Sequence, residues 1–342
     1  MQKLIWHLSN LRGTSGHEYR INREIARLFK PFSDSVEIDS LGSVIACRRC
    51  GKENAPKVMI EAHIDEIGLM VTSITDEGFV TFTEVGGVDR RILPSAEVTI
   101  HGKMDVRGII GAPPRDVSDP DSSFKRDMLA IDTGLDPETV KSLVTVGDSI
   151  TLPQSVGMLG KKQMSAKTMD DRASVAALIA CMKKLRGEKL SCDVYAVAAV
   201  QEEVGCRGGK TTSFGVMPDM AIAVDVTHGI TPDNSRNAFA VGSGATISVG
   251  PNIHPKLAKR LMDSADDHDI KYSIEVDGGG TGTDAWEIQV SGSGIATALL
   301  SVPLKYMHTP VETLNISDVK AVADILAEFI KGLEEDISWL SL

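Results

Sequence analysis

Short apolar runs in this chain alternate with stretches of helical periodicity, the pattern of an α/β protein with a parallel sheet. Four runs are predominantly apolar, as expected for strands that are buried on both faces. Helical periodicity is clearest from Asp170 to about Leu185 and from about Ser317 to Glu334. The predicted buried strands comprise residues 58–62, 194–200, 220–224 and 295–302.

Between residues 70 and 161 the pattern changes to short β-like runs separated by Gly, Pro and Asp, which is typical of an all-β unit. Because added loop length costs little closure entropy, insertion of such a unit into an α/β domain is the simplest interpretation. We therefore predict a discontinuous α/β domain, residues 1–69 and 162–342, with a small β-barrel-like domain, residues 70–161, inserted into it. The β-like runs are residues 71–74, 79–82, 96–100, 106–110 and 149–152.

Composition and charge narrow the possible partners. The chain has 342 residues, 42% of them hydrophobic and 24% charged, as in ordinary globular proteins. Its net charge of −11 argues against a nucleic-acid partner, since phosphate binding requires clustered Lys and Arg. No apolar stretch reaches the roughly 18 residues of a membrane span, so no membrane partner is predicted. The odd number of cysteines, five, and the lack of a signal-like start predict a cytoplasmic protein whose mature chain begins at Met1.

Side chains that can bind metal follow the predicted strands at the point where each strand ends, and a parallel α/β sheet places its chemistry at that edge. Two histidines with three or more carboxylates suit Zn, Co or Mn. One ion needs three or four of these ligands, so the surplus indicates two ions bridged by a carboxylate. The residues concerned are His63, Asp65, Glu202, Glu203, Asp225 and His308, together with Asp170 at a predicted helix start.

Six segments occur in the order found in the M42 family of metallo-aminopeptidases, and the chain resembles that family over nearly its whole length. These are the TET-type enzymes, which include glutamyl, leucyl and lysyl aminopeptidases. The resemblance implies a mixed central sheet with helices on both faces, as in di-metal exopeptidases. The segments are EAHIDEIG at 61–68, KTMDDR at 167–172, EEVG at 202–205, AVD at 223–225, GTGTDA at 280–285 and YMHTPVE at 306–312.

The resemblance also implies a set of metal ligands. His63 and Asp225 would bind one ion, and Glu203 and His308 would bind the other. Asp170 matches the carboxylate that bridges the two ions. The expected cofactors are therefore two divalent ions per subunit, Zn or Co, with Mn as a further option.

Two more roles follow from the same resemblance. Asp65 matches the acid that holds the His63 imidazole, and Glu202 matches the general base. As the bridge, Asp170 is favoured over Asp171 because related motifs often carry Asn at the second position, but the residues alone leave both open. Asp284 is also open, since it could serve the site or simply occupy a turn.

The expected activity is removal of the N-terminal residue from short peptides. Water placed between two divalent ions becomes acidic, and Glu202 would take its proton and later pass it to the leaving amine. Members of the family form dodecameric tetrahedra built from dimers, so a homo-oligomer is expected. The inserted β domain would be the dimerising element.

Two other functions compete with this hypothesis. A glycoside hydrolase could use Glu202 and Glu203, and relatives of the family have been labelled endoglucanases. Such carboxyls must flank the sugar at about 5–9 Å, whereas neighbours on one strand point to opposite faces, which argues against this alternative. A metal-binding scaffold without activity is the second alternative, although a scaffold would have no use for Glu202.

Overall fold

The computed structural model describes residues 1–111, 129–153 and 157–342, so residues 112–128 and 154–156 of the predicted insert lie outside the described residues. The described part of the chain contains helices that mostly carry one apolar face. Their bounds are α1 Gln2–Ser9, α2 Asn22–Phe29, α3 Pro137–Leu143, α4 Met169–Leu185, α5 Arg207–Val216, α6 Pro255–Asp267, α7 Asp284–Gln289 and α8 Ile316–Lys331.

The strands of the described residues form one large sheet and one closed barrel. In chain order they are β1 Ser35–Ile38, β2 Val44–Arg48, β3 Lys57–His63, β4 Gly68–Ile74, β5 Val80–Val85, β6 Glu97–His101, β7 Asp105–Gly111, β8 Ala130–Asp132, β9 Ser149–Thr151, β10 Gly157–Leu159, β11 Gln163–Ala166, β12 Asp193–Ala199, β13 Met220–His228, β14 Ala245–Val249, β15 Tyr272–Val276, β16 Ala296–Lys305 and β17 Glu312–Asn315.

The large sheet is mixed, with four parallel strands at its centre. Its order is β1-β2-β12-β3-β13-β16-β17-β11-β10, and β14 and β15 extend it from one part of β16. Strands β12, β3, β13 and β16 run parallel to one another. They correspond to the four buried strands predicted from the sequence, because strands buried on both faces are predominantly apolar.

Helices cover both faces of this sheet, as the predicted fold class requires. Helix α4 packs against β3 and β13 and also contacts α1 and α8, while α5 packs against β12 and α7. The core between these layers is continuous and apolar, and α4 is buried along most of its length. None of the helices in the described ranges combines the length and apolar composition needed to cross a membrane.

The barrel closes in the order β4-β5-β8-β7-β6-β9 and has an apolar core of its own. Buried and exposed residues alternate along β7, as expected for a strand with one face turned inward. Five of the barrel strands overlap the predicted β-like runs, whereas β8, with three residues, is too short to give a sequence signal. Strand β10 falls within the predicted 70–161 insert but pairs with β11 in the large sheet.

Candidate metal centre

The carboxyl ends of the four parallel strands meet at one edge of the large sheet, and the predicted ligands lie there. His63 is the last residue of β3 and is in register with Ala199, the last residue of β12. Asp225 lies within β13, and β16 leads into the turn that carries His308. The segments that the sequence spreads over 246 positions, 63 to 308, therefore converge at a single site.

Asp170 connects the two predicted histidine ligands. Its Oδ1 lies 3.1 Å from His63 Nε2, and its Oδ2 lies 3.4 Å from His308 Nε2. Burial opposes ionisation, but the hydrogen bonds with His308 and His63 lower the pKa of Asp170 below its ordinary value. One carboxylate whose two oxygens face different imidazoles has the arrangement of a bridging ligand.

Two overlapping groups of side chains are close enough to hold metal ions. In each group, one ligand atom from every residue lies within 4.8 Å of the others. This spacing suits metal–ligand bonds of about 2 Å. The groups are His63, Asp170 and Glu203, and His63, Asp171 and Asp225.

The second group contains Asp171, which was predicted from the sequence only as an alternative bridge. Asp171 is fully buried, and its Oδ2 accepts a hydrogen bond of 3.3 Å from the backbone N–H of His63. Burial, followed by the nearby charge of Asp225, raises the pKa of Asp171 well above its ordinary value. Buried carboxylates in such proximity are costly without a cation, so their chemistry fits a divalent ion.

Asp65 lies beside the ring nitrogen of His63 that faces away from Asp170. His63 Nδ1 is 3.3 Å from Asp65 Oδ1, and the Ser15 hydroxyl donates to Asp65 Oδ2 at 2.6 Å. Burial works against the charged form, but His63 and Ser15 lower the pKa of Asp65. An ionised Asp65 favours a proton on Nδ1, which leaves Nε2 free to bind a metal ion.

The backbone that carries Glu202 and Glu203 is held by two buried carboxylates. Asp65 accepts hydrogen bonds from the backbone N–H groups of Glu202, at 3.0 Å, and Glu203, at 3.2 Å. Glu18 accepts one from the N–H of Gln201, also at 3.0 Å. Glu18 was not predicted from the sequence, because a single glutamate far from the other motifs gives no signal of this contact.

The structure corrects one argument about Glu202 and Glu203. Strand β12 ends at Ala199, so both glutamates lie in the following turn and both line the same cavity. Alternation along a strand therefore does not separate them, and that objection to a glycosidase was wrong. Their partners separate them instead, since Glu203 Oε2 lies 3.3 Å from His308 Nε2.

Glu202 has the surroundings of a group that exchanges protons. Its Oε2 lies 3.9 Å from His63 Nε2, and the Cys206 thiol donates to its Oε1 at 3.3 Å. Burial is the main cause that raises the pKa of Glu202 to about 7, and nearby carboxylates contribute. A carboxyl with a pKa near neutrality can act as both base and acid.

Glu312 supports two of the predicted ligands and was missed as a functional residue, although it lies in the YMHTPVE segment. Its Oε1 accepts the backbone N–H of His308 at 2.9 Å, and its Oε2 accepts that of Asp170 at 3.1 Å. Burial raises the pKa of Glu312 to about 8. The His308 ring is fixed from its other side, because Nδ1 lies 3.1 Å from the carbonyl oxygen of Gly87.

Asp284 lies near the site but does not line its cavity. It is the first residue of α7, is buried, and interacts with the buried Glu61, which precedes His63 on β3 by two residues. Burial raises the pKa of both carboxyls. Asp284 is therefore a buried residue at a helix start, not an exposed turn aspartate.

A cavity of about 610 Å³ opens from the metal-ligand groups. Glu202, Glu203, Asp170, Asp225 and His308 line one part of it. The rest extends along β13 and β15 to Thr227 and Glu275. A substrate group bound in this cavity would lie beside both the predicted metal ligands and Glu202.

Comparison with known proteins gives one consistent family. The profile of the family described as M42 glutamyl aminopeptidase matches residues 42–325. A lysyl aminopeptidase of Pyrococcus furiosus is 34% identical over 95% of this chain and 94% of its own length. The TET1 peptidase structure of Pyrococcus horikoshii is 33% identical, covers 97% of this chain and 99% of its own, and has a TM-score of 0.86.

One similar structure has a different name. It is described as an endoglucanase of Thermotoga maritima, is 26% identical, covers 95% of this chain and 96% of its own, and has a TM-score of 0.78. The profile match extends over most of the sequence, and the curated relative is similar along its full length. The chain belongs to the M42 family of aminopeptidases.

Proposed function

We propose that this protein is a two-metal aminopeptidase that removes the N-terminal residue from short peptides. The observation that carries the proposal is Asp170, whose two carboxylate oxygens face His63 and His308 separately. The first ion would be bound by His63 and Asp225, with Asp171 as a third ligand. Glu203 and His308 would bind the second, and Asp170 would bridge the two.

The donor set supports Zn or Co, with Mn as a third option. It combines two imidazoles with several carboxylates and contains no thiolate among the proposed ligands, a mixture that these ions accept. When bound, such ions would lower the pKa of a coordinated water and polarise the scissile carbonyl. Asp65 would keep His63 in the orientation that this binding requires.

Glu202 would perform the proton transfers. It would accept a proton from the attacking water and then donate it to the amine of the departing peptide. Its position supports this role, because it lines the cavity beside the proposed ligands but has the Cys206 thiol, not an imidazole, within hydrogen-bond distance. The free α-amine of the peptide would bind near the second ion or a neighbouring carboxylate, which limits cleavage to the first residue.

A matched pair of neighbouring variants tests this proposal. Glu202→Gln should retain two metal ions per subunit and lose about 100- to 10,000-fold in kcat, since it removes general-base catalysis alone. Glu203→Gln, the same change one residue later, should instead lower the metal content. Metal analysis and hydrolysis of aminoacyl p-nitroanilides measure both effects. Unchanged turnover in Glu202→Gln would exclude Glu202 as the base.

Chelation separates the proposal from the glycosidase alternative. EDTA should abolish peptidase activity, and added Zn or Co should restore it. A glycosidase with two catalytic carboxyls needs no metal ion, so cleavage of a β-glucan that persists in EDTA would favour that alternative. Two bound ions without turnover of any aminoacyl substrate would favour an inactive scaffold.

Assembly and location are part of the same proposal. The TET1 peptidase of Pyrococcus horikoshii assembles into a tetrahedron or a large octahedral shell. By likeness, we propose a homo-oligomer built from dimers, a dodecamer, with the inserted barrel as the dimerising element. Exposed apolar residues on the barrel, Met104, Ile109 and Val146, support this role, and light scattering would test it. Five free cysteines support a reducing, cytoplasmic location.

A further inference from the structure

Glu275 places a fixed carboxylate in the cavity beside the proposed metal centre. It lies on β15, where Ile274 and Val276 on either side are exposed on the opposite face, and it lines the cavity. The Thr227 hydroxyl donates to Glu275 Oε1 at 2.5 Å, and the Thr246 hydroxyl donates to Oε2 at 2.9 Å. Both threonines are buried, so the carboxylate is held in one orientation.

This carboxylate forms no ion pair with a basic side chain in the described part of the chain. Among the described residues, no Lys, Arg or His nitrogen lies within 4.0 Å of Glu275, and no Lys or Arg lines the cavity. Besides His308, the cavity lining includes one other imidazole, that of the exposed His228. Burial raises the pKa of Glu275, and the charge of His228 acts in the opposite direction. Two hydroxyl donors satisfy the oxygens of a carboxylate but leave its negative charge in place.

One cavity is lined both by Glu275 and by the proposed metal ligands Asp170, Glu203, Asp225 and His308. Asp225 and Thr227 are two positions apart on β13 and therefore point to the same face, about 6.6 Å apart along the strand. Glu275 contacts Thr227 directly. A substrate whose scissile bond lies at the metal centre can therefore reach Glu275 with its first side chain, since the two lie in one cavity.

We propose that Glu275 selects peptides whose N-terminal residue is basic, Lys or Arg. A cationic side chain would neutralise the buried charge and gain a charge-assisted hydrogen bond. An acidic first residue would be repelled, and a neutral one would leave the carboxylate unpaired. This inference rests on the proposed aminopeptidase function and adds its substrate class.

The test compares kcat/KM of the metal-loaded enzyme on Lys-, Arg-, Leu- and Glu-p-nitroanilide. The wild-type protein should prefer Lys and Arg. Glu275→Gln, which has nearly the same shape, should lower the Lys-to-Leu ratio at least about tenfold, because a hydrogen bond to a charged group is lost. Glu275→Lys should raise the Glu-to-Lys ratio. Glu37→Gln, an exposed glutamate on β1, is the control and should leave these ratios unchanged.

The results distinguish failure of the inference about Glu275 from failure of the proposed aminopeptidase function. An unchanged Lys-to-Leu ratio in Glu275→Gln, or a wild-type preference for Leu or Glu, would overturn the inference while leaving the aminopeptidase function intact. An equal loss on all four substrates would also overturn it and would assign Glu275 to the α-amine. No turnover of any substrate with Zn or Co would reject the proposed function and this inference together.

Discussion

The two halves of the proposed metal centre differ in construction. The inner half, His63, Asp171 and Asp225, comes from strands β3 and β13 and the start of α4, and His63 is only 2% exposed. The outer half, Glu203 and His308, comes from turns after strands, and the His308 side chain is 32% exposed. The inner half therefore depends on the core of the sheet, whereas the outer half depends on turns that other groups must hold.

Those other groups come from different parts of the chain. Glu312 binds the backbone of His308, Asp65 binds the backbone of Glu203, and the carbonyl of Gly87, in the segment after barrel strand β5, faces the His308 ring. His308 also has a left-handed backbone, with φ of 61°, which a non-glycine residue adopts only when its surroundings hold it there. Of the two proposed ions, the inner one should therefore be the more firmly bound.

Removal of Asp170 should have the largest effect on metal content and activity, because this residue connects the two halves. We expect Asp170→Ala to release metal from both sites and to lower kcat/KM by about a thousandfold or more, since several kcal/mol of transition-state stabilisation are lost. Metal analysis of the purified variant checks the first outcome, and p-nitroanilide hydrolysis the second. Retention of two ions would show that the bridge lies elsewhere, with Asp171 as the first candidate.

The metal-free protein should become less stable as the pH rises from about 5 to 8. Without ions, the pKa values of Glu202 and Glu312 are about 7 and 8, against an ordinary 4.5, chiefly because of burial. In that window the folded protein holds protons that the unfolded chain has lost. Each such proton lowers the free energy of unfolding by about 1.4 kcal/mol per pH unit. His308, whose pKa rises to about 10, acts in the same direction.

Thermal unfolding of EDTA-treated protein at several pH values measures this effect. Carboxylates with lowered pKa values, Asp65 and Asp170, lose their contribution only at more acid pH and do not reverse the trend. Added Zn or Co should raise the melting temperature most at pH 8, where the unpaired carboxylates are ionised. A melting temperature of the metal-free protein that is constant or rises between pH 5 and 8 would contradict the prediction.

The sequence was most informative where a long apolar strand leads directly to a proposed ligand. His63 follows such a run, and the parallel arrangement of β3 and β13 brings Asp225 beside it, so these positions were predictable. Glu18 and Glu312 were not recognised, because a buried carboxylate that binds distant backbone has no local pattern. The position of Asp171 beside Asp225 was also hidden, since two adjacent aspartates do not reveal which way each points.

Some strands of the fold also lack a local sequence pattern. Runs of strand residues predicted most of the barrel, but β8 has only three residues, and β14 lies in a segment rich in glycine that gave no clear strand signal. Both strands are specified by pairing with neighbours, β8 with β5 and β7, and β14 with β15 and β16. Tertiary pairing of this kind cannot be derived from local periodicity.

The substitution Gly87→Ala should have the smallest effect of those predicted. It is also the sharpest test of the difference between the halves. A Cβ at Gly87 would lie 2.7 Å from His308 Nδ1, so the ring must move and lose its contact with the Gly87 carbonyl. The affinity for the outer ion should fall about 10- to 100-fold, as when an outer hydrogen-bond partner of a metal ligand is removed. The inner ion should be unaffected, since the atoms that a Cβ at Gly87 would meet within 4 Å, in the described part of the chain, belong to the His308 ring.

Competition with a chromogenic chelator would measure the two affinities separately for this variant. Gly215→Ala is the matched control, because a Cβ at that position in α5 meets nothing within 4 Å and alanine suits a helix. Two ions held as tightly in Gly87→Ala as in the control would show that His308 does not depend on the segment after β5. An equal loss of affinity for both ions would show instead that the centre responds as one unit. The two halves would then differ in burial alone.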